Sequence, residues 1–302
     1  MKLINFNPRL YGFSIAIASI MAAGCNDNAG SSDEFNLSED EMVQMKENSE
    51  LAKKVFNALP SPMDMSVLLK EAGATFNKSY LNDNNAVSRY STMSSKAINL
   101  GVYGADLSYS TIFDNTQEAM NYLNSVKTLA DELGVTKAFD VDKIDRFEQN
   151  INNRDTVLAI VSQSFWITDA YLRENQRGNA SALVLAGSWI EGVYIGSLVN
   201  KSLKETGNNL AIMQLIAEQK GSLNNLLTLL ESYKQDESLA SITAGLNDIK
   251  NSYDKVEFIT EGDTTKYIEV SHLGEVQPVK FNPEIIDEIS TKIDALRNKI
   301  IK

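Results

Sequence analysis

Two acidic residues stand among aromatic and apolar residues. Asp106 lies within one helical turn of Tyr103 and Tyr109, and Glu191 is the only charged residue between positions 178 and 200. A carboxyl group in apolar surroundings has a raised pKa and can act as a general acid, while a second carboxylate acts as base or nucleophile. Asp106 and Glu191 are therefore candidate catalytic groups of a glycan hydrolase or lyase, and Asp169 is a third candidate acid.

A structural role accounts for the same two acids. A buried carboxylate without a partner costs several kcal/mol, so each acid would bind an arginine or a helix N-terminus inside a helical core. We favour this interpretation for Asp106 and, by a narrower margin, for Glu191. The candidate partners are Arg89, Arg154, Arg173 and Arg177.

Aromatic residues close to these acids could line a ligand pocket between two central helices. Such a pocket would take a sugar or an apolar ligand. The alternative is that these residues are ordinary core residues, which is the commoner role of aromatic side chains on helices. The candidate ligand-binding residues are Tyr103, Tyr109, Trp166, Asp169, Trp189 and Tyr194, and Tyr171 is a further aromatic residue that could line the same pocket.

The composition excludes several kinds of chemistry. The chain has one histidine, His272, and one cysteine, Cys25, which rules out a site built from several histidines or from a cysteine–histidine pair. It also has no glycine-rich phosphate loop after a strand, so we predict neither a metal nor a cofactor. His272 is expected to be a structural residue. A net charge of -12 repels nucleic acid and predicts no nucleic-acid partner.

The N-terminus has the features of an export signal. Lys2 and Arg9 precede an apolar segment, residues 10–23, and the sequence Ala-Ala-Gly-Cys follows at 22–25. This arrangement resembles the lipobox of bacterial lipoproteins, in which the cysteine receives a diacylglyceryl thioether and further acyl groups such as palmitate. The alternative is an ordinary secretory signal with an incidental cysteine, but a single unpaired thiol in an exported protein favours lipidation.

The resemblance implies a location, the cell envelope, and a partner, its membrane. Residues 1–24 would be the signal peptide, and acyl chains on Cys25 would hold the protein in a membrane of the cell envelope. Asn26, in place of an aspartate after the cysteine, resembles the sorting pattern of outer-membrane lipoproteins. Which face of that membrane the protein occupies stays open. Residues 25–37 are polar, small and acidic, which predicts a flexible tether.

Residues 38–302 are predicted to form a single helical domain. Several residue pairs are typical of helix N-termini, and Gly134 and Gly207 are placed where helices end. We expect nine or ten helices. The predicted starts are Ser38 with Glu41, Ser61 with Pro62, Asn115 with Glu118, Asn152 with Asp155, and Asn282 with Pro283.

The spacing of apolar residues predicts how the helices pack. In one row of mostly apolar residues, here called the seam, successive members are separated by alternating steps of four and three residues. This spacing is typical of a helix that lies along a neighbouring helix. Segments 100–104 and 186–190 resemble each other faintly, each followed by an acid, but no repeat of fixed period is visible. The seam comprises Ala86, Tyr90, Met93, Ala97, Leu100, Gly104 and Leu107.

The predicted fold is mainly α, a bundle of long antiparallel helices with a small β-hairpin before the C-terminal helix. The hairpin falls at about 255–281, with strands at 256–259 and 267–270 and a short third strand at 276–281. Segment 178–200 is long enough to span a membrane, but its glycines and Glu191 favour a central bundle helix. The leading functional hypothesis is a non-enzymatic envelope lipoprotein that binds a protein partner or a small ligand.

Overall fold

The computed structural model describes residues 43, 46–50, 52–54, 68–139, 141–258, 279–280 and 282–302, all within one compact unit, Glu39–Lys302. The predicted signal peptide, the tether, Cys25 and His272 lie outside the described residues. So do the helix starts predicted at Ser38 and Ser61.

The described chain is mainly helical, as the sequence predicted. Short helical stretches at 46–50, 52–54 and 68–71 come first, followed by two 3-10 turns, Lys78–Tyr80 and Asn84–Arg89. The longer helices are α1 (Met93–Ile112), α2 (Thr116–Glu132), α3 (Val141–Gln149), α4 (Arg154–Glu174), α5 (Gly178–Leu203), α6 (Leu210–Glu231), α7 (Ala240–Tyr253) and α8 (Pro283–Ile300).

Most of the predicted helix ends within the described chain are confirmed. The Asn115 side chain accepts a hydrogen bond from the backbone N–H of Glu118 at the start of α2, and Asn282 caps α8 with proline in its first turn. Gly134 and Gly207 both adopt positive φ, 71° and 73°, which suits glycine at a helix terminus. The start predicted at Asn152 is wrong by one residue, because the residue that caps α4 is Asn153.

The predicted seam is not one continuous helix. Ala86 lies in the 3-10 turn Asn84–Arg89, Tyr90 follows that turn, and α1 begins only at Met93. The break has a local cause: Thr92 and Ser95 form a capping box that starts a new helix. Ala86 and Tyr90 are nevertheless buried, whereas Met93 is 49 % exposed. The periodicity therefore identified core residues correctly in the turn but misplaced the helix boundary.

The most apolar helix, α5, lies at the centre of the bundle. Its length and composition would let it cross a membrane, and of the described helices it alone passes that test. Within the protein, however, 78 % of its most apolar window is buried. The neighbouring helices cover it, as expected for a helix that is apolar on all sides.

The consecutive pairs α1 and α2, α5 and α6, and α7 and α8 pack antiparallel, but α1 and α5 run in the same direction. Three contacts fix this register: Ile98 lies against Gly187, Gly101 lies against Ser188, and further along Asp106 lies beside Glu191. The arrangement follows from connectivity, because α2 to α4 intervene and carry the chain back. The antiparallel expectation therefore holds for these consecutive pairs and not for the central pair of α1 and α5.

Two glycines let α1 and α5 touch at backbone distance. A Cβ atom on Gly101 would lie 2.0 Å from the carbonyl oxygen of Val184, and one on Gly187 would lie 1.9 Å from that of Ile98. Neither helix accommodates a side chain there, since the obstructing atoms are backbone. These two glycines are the second residues of the faintly similar segments 100–104 and 186–190, so each helix presents a matching surface to the other.

The predicted hairpin is only partly within the described chain. Its turn and its second strand, 267–270, lie outside the described residues. What the structure describes is a short antiparallel pairing of β1 (Glu257–Phe258) with β2 (Val279–Lys280), in which residue 257 pairs with 280 and 258 with 279. This pairing brings the chain back to the start of α8.

Candidate functional site

The centre of the molecule holds a charged cluster formed by three helices. Glu191 on α5 is fully buried and accepts two hydrogen bonds, each 2.7 Å, from the guanidinium of Arg297 on α8. The Arg297 guanidinium also lies over the ring of Tyr194, 4.1 Å from its centroid. Such a two-pronged pair fixes the orientation of both side chains. Burial raises the pKa of Glu191 above its ordinary value, and the hydrogen bonds and positive charge of Arg297 oppose that shift and favour the ionised form.

Asp106 on α1 joins this cluster. Its side chain is fully buried beside Glu191, and its Oδ2 accepts from the backbone N–H of Asn82 at 3.2 Å, while its Oδ1 has no other hydrogen-bond partner among the described residues. Burial raises the pKa of Asp106 well above its ordinary value, and the negative charge of Glu191 raises it further. The raised pKa favours the neutral form of Asp106, whose Oδ1 can then donate its proton to Glu191. The cluster as a whole carries one negative and one positive charge.

The arrangement of the two acids is that of a structural network. In glycosidases the two carboxyl groups lie on either side of a sugar bond, separated by about 5 to 9.5 Å. Here Asp106 and Glu191 bind each other and have no exposed surface. Chemically, the cluster can hold a proton and tie α1, α5 and α8 together.

The third predicted acid lies in a separate cluster. Asp169 on α4 binds Arg173, 3.0 Å from its Nε, and accepts a hydrogen bond from Ser181 at the start of α5. This pair is buried as well, and Ser49 also accepts from Arg173. Asp169 therefore orients the α4–α5 junction and does not approach Glu191.

The arginine that binds Glu191 was missing from the predicted partners. Of those, Arg173 binds Asp169, Arg177 donates to the carbonyl oxygen of Leu133, and Arg154 pairs with exposed acids. The sequence around Arg297 reads as the last turn of an amphipathic helix, where a basic residue is expected to face solvent. Its burial follows from packing of α8 against α5, which no local pattern reveals.

The aromatic residues predicted to line one pocket occupy different parts of the structure. Trp189 is in the core and donates from Nε1 to Ser222 at 2.9 Å, whereas Trp166 lies at the surface with 36 % exposure. Tyr194 packs on Arg297. Tyr103 and Tyr109 bind backbone groups of the segment that precedes α1. A pocket containing all of these aromatic residues is not formed.

An apolar groove runs between α1, α5 and α6, with a volume of about 210 Å³. Two predicted ligand residues, Tyr109 and Trp189, line it. Its floor is a row of small residues on α5, Ser188, Gly192 and Gly196. A Cβ atom on Gly192 would meet nothing within 4 Å, so this glycine is not required by any close packing. Aliphatic residues of α1 and α6 form the walls of the groove.

A larger polar cleft, about 830 Å³, lies between α2 and the segment 78–88. Amide and hydroxyl side chains dominate its lining, and the sequence did not point to it. The members with such side chains are Asn82, Asn84, Asn85, Ser88, Asn121, Tyr122, Asn124, Ser125 and Thr128. The remaining lining residues include Lys78, Asp83 and Glu132.

The floor of the polar cleft is held by buried groups of the core. Backbone atoms of Asn82 bind Asp106 and the hydroxyl of Tyr122, which donates to the Asn82 carbonyl oxygen at 2.7 Å. The hydroxyl of Tyr103 donates to the carbonyl oxygen of Asp83 at 2.8 Å. Burial raises the pKa of both tyrosines above their ordinary range, so both hydroxyls stay protonated and able to donate.

Within the described ranges, no three histidine, cysteine, aspartate or glutamate residues lie close enough together to hold a metal ion. Comparisons with models of known protein families, with curated proteins and with solved structures give no match to this chain.

Proposed function

We propose that this chain is a lipid-anchored envelope protein that acts by binding a ligand or partner and does not catalyse a reaction. The observation that carries the proposal is the state of its two central acids. Asp106 and Glu191 are sealed from solvent, bind each other, and are balanced by Arg297. The residues best suited to acid–base chemistry are thus committed to holding helices together.

The surfaces open to a ligand support the same proposal. The apolar groove is lined mainly by aliphatic and aromatic groups, and the polar cleft mainly by amide and hydroxyl groups. Such groups bind and orient a ligand but are weak acids and bases. Of the charged residues in the cleft, Lys78 and Glu132 are ion-paired and Asp83 caps a turn. A glycan hydrolase using Asp106 and Glu191 would instead need a route for sugar and water to two groups with no exposed surface.

The anchor is proposed from the N-terminal residues. Lys2 and Arg9, the apolar segment 10–23 and the sequence ending at Cys25 support lipidation, signal-peptide removal after residue 24, and attachment to the outer membrane. We further propose that residues 25–37 act as the tether and that a hairpin spans about 255–281. The domain would then stand off the membrane on about a dozen residues of flexible chain.

The anchor is tested by labelling cells with radioactive palmitate. The natural chain should be labelled and should sediment with the outer membrane, whereas Cys25→Ser should be unlabelled and should leave that fraction. Mass spectrometry of the natural chain should find Cys25 as the acylated N-terminal residue. Label that persists in Cys25→Ser, or an unmodified thiol in the natural chain, would contradict the proposed anchor.

The absence of catalysis is tested with Asp106→Asn. This change keeps the size of the side chain but removes any proton it could give to a substrate. We expect both proteins to fold, to bind any identified partner equally, and to show the same background release of reducing sugar from a panel of glycans. Turnover by the natural chain that is lost in Asp106→Asn would instead establish the hydrolase.

A further inference from the structure

We propose that the polar cleft binds a neutral oligosaccharide, and that the buried Asp106, Tyr103 and Tyr122 are positioning residues for its floor. The inference rests on the proposed binding function and names the class of ligand. It concerns a region distinct from the acid pair itself, because every group that would touch the ligand lies on α2 or on the segment 78–88.

The chemistry of the lining favours a ligand rich in hydroxyl groups. Asparagine amides offer donors and acceptors side by side, and serine and threonine hydroxyls offer both in one atom. Sugar hydroxyls are also donors and acceptors, so they match such a surface without any charge. Asn124 and Ser88 are exposed in the cleft and make no side-chain hydrogen bond within the described part of the chain, which leaves them available to a ligand.

The charges of the cleft are mostly balanced, which disfavours an ionic ligand. Lys78 pairs with Glu118 at 2.6 Å, and Glu132 pairs with Lys96 at 2.9 Å. The carboxylate of Asp83 accepts from the backbone N–H of Asn85 and so caps the turn that follows it. The net charge of the chain, -12, further disfavours an anionic ligand.

The floor is unusual because core groups hold irregular backbone in place. Residues 82 and 83 lie between two 3-10 turns, where no regular helix supplies hydrogen bonds to them. Asp106, Tyr122 and Tyr103 supply those bonds from the interior. A binding loop held to a rigid scaffold loses little conformational freedom when it takes a ligand, which increases affinity.

The test begins with direct binding to neutral probes. The full-length protein in detergent would be titrated by calorimetry with maltohexaose, cellohexaose, xylohexaose, mannohexaose and chitohexaose. We expect at least one of them to bind. Asn124→Ala and Asn85→Ala should each weaken that binding by about tenfold, which corresponds to the loss of one or two good hydrogen bonds. Asn224→Ala is the matched control, since Asn224 is an exposed asparagine within helix α6 and lies outside the cleft.

The positioning role is tested with two tyrosine variants. Tyr122→Phe removes the hydroxyl that holds Asn82, while Tyr109→Phe removes a buried hydroxyl that contacts Asn77 and Thr75, away from the cleft. Both should lower the melting temperature slightly. Only Tyr122→Phe should also weaken oligosaccharide binding, by several-fold, and equal binding by the two variants would overturn the positioning role.

Two results would overturn the inference as a whole. One is a folded natural protein that binds none of the five oligosaccharides. The other is binding that survives both asparagine substitutions unchanged, which would place the sugar elsewhere. Either result leaves the proposed function testable by itself, because an anchored protein that captures a protein partner or an apolar probe would still be a binding lipoprotein.

Discussion

Asp106 and Glu191 are neighbouring buried carboxyl groups with different charges, so their amide variants should differ in stability. Glu191→Gln would leave the guanidinium of Arg297 buried without an anion. Removing one partner of a buried pair typically costs about 3–5 kcal/mol. We expect Glu191→Gln to lose stability on that scale, measured by urea unfolding at pH 7.

Asp106→Asn provides the matched comparison. The amide can donate to Glu191 as the neutral acid does, and its oxygen can still accept from Asn82. We expect a loss of about 1 kcal/mol or less, because no hydrogen bond is lost and no charge is left unpaired. Equal losses for the two amide variants would contradict a neutral Asp106.

The same proton makes stability depend on pH in a defined direction. Burial raises the pKa of Asp106 above its ordinary value of 3.8, so the folded state holds this proton more tightly than the unfolded state. This proton contributes its full stabilisation when the pH is below the ordinary pKa of Asp106. The contribution is lost as the pH rises through the pKa that Asp106 has in the folded protein. The free energy of unfolding changes by at most about 1.4 kcal/mol per pH unit because of this one group.

We therefore expect the free energy of unfolding of the natural chain, minus that of Asp106→Asn, to decrease as the pH rises above about 4. Urea unfolding of both proteins at several values between pH 4.5 and 8.5 measures this difference. The subtraction removes the titrating groups that do not interact with Asp106, whereas Glu191 titrates together with it and contributes to the measured difference. A difference that increases with pH would mean that Asp106 is ionised in the folded protein.

The sequence revealed the two acids of the cluster but not its cation. Asp106 and Glu191 attract notice because a charge in an apolar helix needs a reason, and that signal is local. Arg297 belongs to a helix with many charged residues, Pro283–Ile300, where one more basic residue near the C-terminus is ordinary. Only the packing of α8 against α5 distinguishes it.

At the scale of helices, the glycines of α5 fall into two classes. Gly187 lies where a Cβ would meet the backbone oxygen of Ile98 at 1.9 Å, whereas Gly192 faces open space in the apolar groove. Gly187→Ala should therefore push α1 and α5 apart and destabilise the protein by about 3 kcal/mol. Gly192→Ala should stabilise it by about 0.5–1 kcal/mol, the usual gain from replacing glycine within a helix.

Thermal unfolding of the two variants, which carry the same substitution on one helix, measures this contrast. Gly221→Ala on α6 serves as a further control, since that glycine is exposed and also faces open space. A loss of stability in Gly192→Ala would mean that some contact fills the floor of the groove in solution.

Helix boundaries were predictable where a side chain caps the helix and the pattern changes at the same place. Asn115 and Asn282 meet both conditions. The start of α1 does not, because apolar residues continue with helical spacing through Ala86 and Tyr90 while Thr92 interrupts the helix. Tertiary contacts bury residues of a 3-10 turn and of a helix alike, so periodicity alone does not separate them.

For the whole molecule, composition predicted a mainly helical fold but not which helices touch. Short loops make neighbours along the chain antiparallel, and the sequence indicates that rule. The parallel contact of α1 with α5 depends on three intervening helices, and the contact of α8 with both depends on the entire chain. Such long-range pairings leave only weak local signals, here the two glycine-containing segments.

The C-terminal helix should be essential for the fold, because α8 contacts helices α1, α5 and α7 of the bundle. Its carbonyl oxygen at Ile300 accepts from Asn99 of α1 at 2.9 Å, Arg297 binds Glu191 of α5, and Leu296 lies against Gly245 of α7. A chain ending at residue 282 would leave Glu191 without its cation and expose the faces that α8 covers. Both effects favour a loose, hydrophobic state.

We expect that truncated chain to lose its near-ultraviolet circular dichroism and to bind the dye ANS, while it keeps much of its helical signal. Removing Lys302 alone is the control and should change neither property, since that residue is exposed. Adding the peptide 283–302 should restore part of the native signal, and the same peptide with Arg297→Met should restore less. A truncated chain that keeps a sharp, cooperative unfolding transition would show that the other helices suffice for the core.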